Sequence, residues 1–222
     1  KQTLSFETGI QMIDIFFTFD QSGSMDAEVA SLRDDLDDII NNLQCRDLGK
    51  ACTENIDCDS LNDAICSEQG RCIQNPSSGE GCFDSIWTGL GFYGNVDTFW
   101  VSSHLNSSFQ VTTNALTGMF SNGNLINQGG SEVAYQAPIC AILGSTNTDL
   151  CKQKSGSTTD CTTGTKRNYC KMNCSTDSSK IGCAGYRSKA IRIFAHSFDE
   201  NQCGTSTRCK NFKAQVGTVL QN

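Results

Sequence analysis

No run in this chain approaches the ~20 consecutive apolar residues that a bilayer-spanning helix needs; the longest, from Ile15 to Phe19, has the length of a strand. There is no basic block either. The 17 lysines and arginines are dispersed, the net charge is −7 and the sequence pI is near 4.8, which argues against a phosphate-backbone partner such as nucleic acid. Histidine is scarce, with only His104 and His196, and no cysteines stand in the C-x-x-C spacing of a zinc site, the closest pair being Cys170 and Cys174. No G-x-S-x-G elbow is present. Ser22 or Ser24 with a histidine and an aspartate therefore supplies only the letters of a hydrolase triad, and the chain reads as a non-enzyme, with His104 in a surface turn and His196 at a strand end. It begins at Lys1 without a methionine or a signal-peptide core, so the expectation is a mature chain whose leader was removed or lies outside this sequence.

Cysteine, by contrast, is abundant. Fourteen in 222 residues, an even count, point to disulfides and an oxidising compartment, so a secreted or cell-surface location is expected. Six fall in residues 45–82 (Cys45, Cys52, Cys58, Cys66, Cys72 and Cys82), among Asp, Asn, Ser and Gly with little apolar periodicity. Six more (Cys140, Cys151, Cys161, Cys170, Cys174 and Cys183) fall in residues 140–188, rich in Thr, Ser, Gly and Lys. Both stretches read as disulfide-stapled insertions in a single domain spanning residues 1–222. Even counts suggest local pairing in each, leaving Cys203 and Cys209 to each other; the connectivity within each block stays open. Within the first block, residues 66–72 have the look of a small secreted knot turned at Gly70. Asn106-Ser107-Ser108 and Asn173-Cys174-Ser175 are sequons, which make Asn106 and Asn173 possible glycosylation sites in a glycosylating source.

The scaffold around the insertions has an α/β pattern. Residues 13–19 form a near-continuous apolar run, the signature of a strand buried on both faces. The run closes on Asp20, Ser22 and Ser24, with Gly23 allowing a sharp turn. A helix follows over about residues 26–43, with Ser24 or Asp26 as its cap, Asp26 and Glu28 in its first turn, and Val29, Leu32, Leu36, Ile39, Ile40 and Leu43 on its apolar face. Further strands are expected over residues 86–93, 96–101 and 109–112, the last two paired across a turn at 104–108. A short helix is expected over 114–120, then a Gly/Asn-rich loop over 123–130 leading to a helical stretch through Leu143 that Pro138 should kink or delay. Residues 190–195 read as another buried strand, and the tail as a helix with Phe212, Val216, Val219 and Leu220 on one face.

The strand, the Asp20-x-Ser22-x-Ser24 turn and the helix together resemble the von Willebrand factor A family, in which a D-x-S-x-S element forms part of a metal-ion-dependent adhesion site. The resemblance implies a Rossmann-like fold, a central, mostly parallel sheet flanked by helices. It also implies a site completed by Ser131, after Gly129-Gly130 and where threonine is usual, and by Asp199, which here sits in Ser197-Phe198-Asp199-Glu200-Asn201 rather than the family's Thr-Asp-Gly. Taken by themselves, Ser24 and Ser131 read equally as helix caps, and Glu200 is a rival to Asp199. An oxygen-only donor set suits Mg²⁺ first, or Ca²⁺ or Mn²⁺. The family's use of such an ion implies capture of a protein ligand through an exposed Asp or Glu, with the cysteine-rich blocks as candidate contact surface. The alternative is a structural subunit of an extracellular filament, sheath or matrix, whose partners are neighbouring subunits. The family pattern continues through further strands and helices that this chain has no residues to supply, so the expectation is a C-terminally incomplete domain, a fragment or one completed by another chain.

Overall fold

In the computed structural model the described residues are 12–20, 23–76, 82–93, 99–121, 124–125, 138, 141–142 and 174–197. They form a mixed α/β structure with a mixed sheet, two helices longer than one turn, and disulfides. Strand β1 (Met12–Asp20) is followed by helix α1 (Asp26–Leu43), then by the short strands β2 (Asp47–Ala51), β3 (Ala64–Cys66) and β4 (Arg71–Gln74). Next come β5 (Ser85–Tyr93), β6 (Phe99–Asn106), helix α2 (Phe109–Thr117), a two-residue pair β7 (Phe120–Ser121) and β8 (Asn124–Leu125), and β9 (Ile191–Ser197).

The main sheet has the order β6-β5-β1-β9, with β1 parallel to both neighbours and β6 antiparallel at one edge. Because β1 is central and covered on both faces, its alternating side chains feed two cores. Ile13, Ile15, Phe17 and Phe19 pack with Val29, Leu36 and Ile40 of α1 and Leu116 of α2. Phe16 packs on the other face with Tyr93, Phe99, Val101 and Leu105, beneath Ala141 and the segment carrying Cys183, Ala184 and Tyr186. Phe16 is fully buried because Gly89 and Gly91 leave it room: a β-carbon at Gly89 would stand 2.9 Å from the Phe16 ring and 2.9 Å from the Leu105 backbone nitrogen. A buried bond between the Thr88 and Thr112 hydroxyls (2.9 Å) ties α2 to β5.

Several expectations are corrected here. Residues 109–112 are not a strand: the bonded strand is β6, which includes half-buried His104, and the chain then enters α2. The Asn106 side chain accepts the Ser108 N–H (3.0 Å), ending the strand, and Phe109, Thr112 and Leu116 recur at helical spacing toward the core. The expected helix over 114–120 is the end of α2 with a turn into β7. Helix α1 covers the expected residues, but its N-cap is Met25, preceded by a single 3₁₀ turn at Gly23–Met25, and not Ser24 or Asp26. Strand β9 is an edge of the described sheet rather than a fully buried strand, so Ile191 and Ile193 are 36% and 40% exposed.

The first insertion is a three-stranded antiparallel sheet, β2-β4-β3, closed by Cys52–Cys66 and Cys58–Cys72 and clasped at its base by Cys45–Cys82, whose Cα atoms are 4.8 Å apart. The expected local stapling holds there, and Gly70 does set the β3–β4 turn, with φ +71°. In the second block Cys174 pairs with Cys183. Cys140, Cys151, Cys161, Cys170, Cys203, Cys209, Asn173 and the tail expected to be helical lie outside the described residues.

Candidate functional site

The chain changes direction across the sheet at β1. It passes through α1 to β5 on one side, and β9 later joins β1 on the other. In open α/β sheets such a reversal opens a crevice beyond the carboxyl ends of the strands, because the connections on either side leave in opposite directions. Asp20 stands at that edge, in register with Tyr93 on β5; Ser197 of β9 is level with Phe19. Asp20 is 1% exposed and belongs, with Asp14, Phe16 and Thr18, to the alternating set on the face opposite α1. Ser24 is exposed, in the turn leading to α1. Ser22, Ser131 and Asp199 lie outside the described residues; by sequence Asp199 is two positions past the end of β9.

A polar network ties the three strand ends together. The Tyr93 hydroxyl donates to the Ser197 carbonyl at 2.8 Å, reaching across β1, since β5 and β9 are not neighbours. Thr18 Oγ1 and His196 Nδ1 are hydrogen-bonded at 2.7 Å, and the His196 ring lies 4.9 Å from that of Tyr93 and 5.6 Å from that of Phe194. Burial lowers the His196 pKa to about 4, so the imidazole is neutral at physiological pH. Sequence reasoning placed His196 correctly at a strand end but missed Thr18 and Tyr93. The available signal was the period-two placement of Asp14, Thr18 and Asp20 in an otherwise apolar strand, which marks a polar stripe along one face.

The opposite end of β1 holds a second polar centre. Arg187 directs Nη2 and Nε to Asp14 Oδ1 at 2.7 and 2.8 Å, and its backbone N–H to Oδ2 at 2.6 Å. The same guanidinium donates to the Ser85 hydroxyl and to the Ile13 and Ser85 carbonyls, and lies over the Trp87 ring at 4.6 Å. The first cysteine-rich insertion also leaves from this end, between α1 and β5, where Phe83 bridges Gln44. Its attachment is therefore at the end of β1 opposite Asp20, roughly 25 Å away by the rise along the strand.

Among the described residues, one group of three metal-ligating side chains converges: the sulfurs of Cys52, Cys58 and Cys72 lie within 4.8 Å of one another. These sulfurs are oxidised in Cys52–Cys66 and Cys58–Cys72, so they offer no thiolate to an ion. No helix among the described residues is long and apolar enough to cross a membrane. No protein-family model, curated protein or solved structure matches the chain.

Proposed function

We propose that this chain is an extracellular protein-binding module that uses a divalent cation, Mg²⁺ first, at the carboxyl edge of β1 to capture an acidic side chain of a partner. The observation that carries the reading is the position of Asp20. The D-x-S-x-S stretch follows the central strand of the sheet, at the reversal in strand order where a ligand crevice is expected. The resemblance to the von Willebrand factor A family rests on the same residues. Asp20, Ser22, Ser24, Ser131 and Asp199 would hold the ion, an all-oxygen set of the kind hard cations prefer. If, as the resemblance implies, the neutral hydroxyls touch the ion while the two aspartates act largely through water, the ligands in direct contact leave a dication under-neutralised, and a partner's Glu or Asp would complete it. The disulfides, four of them among the described residues, fit an oxidising, extracellular setting.

Calorimetric titration of the oxidised protein with Mg²⁺, Ca²⁺ and Mn²⁺, beside Asp20→Ala, tests this. Binding in the parent that disappears in the variant is the expected result; no binding in the parent overturns it. A second reading, a subunit of an extracellular assembly, draws on the edge strand β9 and its exposed Ile191 and Ile193. Concentration-dependent self-association unaffected by chelator would favour it.

A further inference from the structure

The seam between the cysteine-rich insertion and the main sheet contains a carboxylate whose surroundings do not suit a charge. Asp84 follows the Cys45–Cys82 clasp and immediately precedes β5. It is 4% exposed, and its Oδ1 is fully enclosed without a hydrogen-bond partner. An enclosed, unserved carboxylate oxygen is costly enough to need a physical reason.

Two elements face it. From the insertion comes the β3–β4 turn: the Glu68 backbone N–H donates to the Asp84 carboxylate, the Glu68 side chain adds a like charge, and the neighbouring Gln69 amide donates to the Ser85 hydroxyl at 3.4 Å. From the segment before β9 comes Arg187. Its positive charge acts on Asp84, but its side-chain hydrogen bonds go to Asp14, Ile13 and Ser85. Asp84 thus has an acid in front of it and a cation already committed behind. An ion brought in by solvent has no path to an oxygen that is closed on all sides. A proton is small enough.

We propose that Asp84 is a proton-operated latch that sets whether the cysteine-rich insertion is docked on the sheet. With Asp84 protonated, the enclosed oxygen carries no charge, the repulsion from Glu68 is gone, and the Ser67–Gly70 turn rests against the start of β5. With Asp84 ionised, the turn lifts to let water reach the carboxylate, while Cys45–Cys82 keeps the insertion tethered. Burial is the largest influence on this carboxyl and raises its pKa; the Glu68 backbone N–H opposes the rise, the Glu68 side-chain charge adds to it and the Arg187 charge opposes it, and the balance is upward. The sign follows: docking is fully favoured on the acid side and is lost as pH rises through the folded-state value, which lies above the carboxyl's ordinary one.

The test uses the full-length oxidised protein. The Asp84 carboxyl carbon is titrated by NMR between about pH 4 and about pH 8, and exchange of the Glu68 amide is followed in parallel and corrected for intrinsic rate. The expected result is a transition above the ordinary value for an aspartate, accompanied by a loss of Glu68 protection of about tenfold for each unit of pKa difference between docked and undocked states. Asp84→Asn, which cannot ionise, should give a flat profile, and Glu68→Gln should move the transition to lower pH. Ordinary carboxylate titration of Asp84 with unchanging Glu68 protection overturns the latch, as does an Asp84→Asn protein with the parent's pH profile. If Asp84→Asn does not fold, the titration of the parent decides alone.

Discussion

Replacing Arg187 with methionine isolates the largest single electrostatic commitment seen in the described structure. Asp14 is completely buried and Arg187 is 11% exposed, so neither charge has water to fall back on. The substitution keeps the aliphatic bulk against Trp87 but removes both side-chain bonds to Asp14 Oδ1 and the donors to Ser85 and Ile13. Among the described residues, the backbone N–H of residue 187 then remains on Asp14. Breaking a buried pair from one side costs about 3–5 kcal/mol, because it leaves an uncompensated charge. Against a typical total of about 5–15 kcal/mol, that is about a fifth or more of the stability. Urea unfolding with disulfides intact, at neutral pH, should show an unfolding free energy lowered by that amount, read as a lower midpoint with little change in slope. Arg187→Lys keeps the charge but lacks the planar fork that reaches Asp14 and Ser85 together, so it should fall between the two. The double variant Asp14→Val with Arg187→Met removes both charges and should recover most of the loss. A loss below about 1 kcal/mol in Arg187→Met, or a double variant as damaged as the single one, would refute the reasoning.

His196 has its folded-state pKa depressed to about 4, against 6.5 ordinarily, so the unfolded chain binds its proton first. Its contribution is complete above pH 6.5 and is lost as pH falls toward about 4, amounting to at most about 3 kcal/mol. Unfolding of the parent and of His196→Gln across that range checks this: the parent should lose more stability on acidification, and equal slopes would exclude the effect. Tyr93→Phe removes only the hydroxyl that reaches Ser197, and should lower stability by about 1 kcal/mol while speeding amide exchange at the end of β9. Unchanged exchange there would mean that the bond does not hold the strand ends together.

The elements that announced themselves in the sequence were those whose pattern is local. A near-continuous apolar run gave β1 between parallel neighbours, and the 3–4 spacing from Val29 to Leu43 gave α1 to the residue. Cysteine density marked the insertion before any pairing was known. What stayed hidden depends on partners distant in sequence. Asp14 meets Arg187 across 173 positions and Thr18 meets His196 across 178, and nothing local in β1 names either partner. The α2 region misled because Val111, Thr112 and Thr113 favour strands, while Phe109 and Leu116 are held to α1 and β1 by tertiary packing, which overrides propensity. Of the five candidate metal ligands, Asp20 and Ser24 fall among the described residues, and the position of Asp20 was readable because it terminates the central strand.

The Cys45–Cys82 clasp has a consequence for how such a chain can change. Its Cα atoms are 4.8 Å apart, little more than the ~3.8 Å between neighbours along a chain, although they are separated by 37 positions. As far as the sheet is concerned, the whole insertion takes up the space of little more than one peptide link. Changes of length or sequence between those two cysteines that keep the Glu68–Gln69 turn against Asp84 and Ser85 need not disturb the register of α1 and β5, so this end of the molecule can diversify while the strand bearing Asp20 stays as it is.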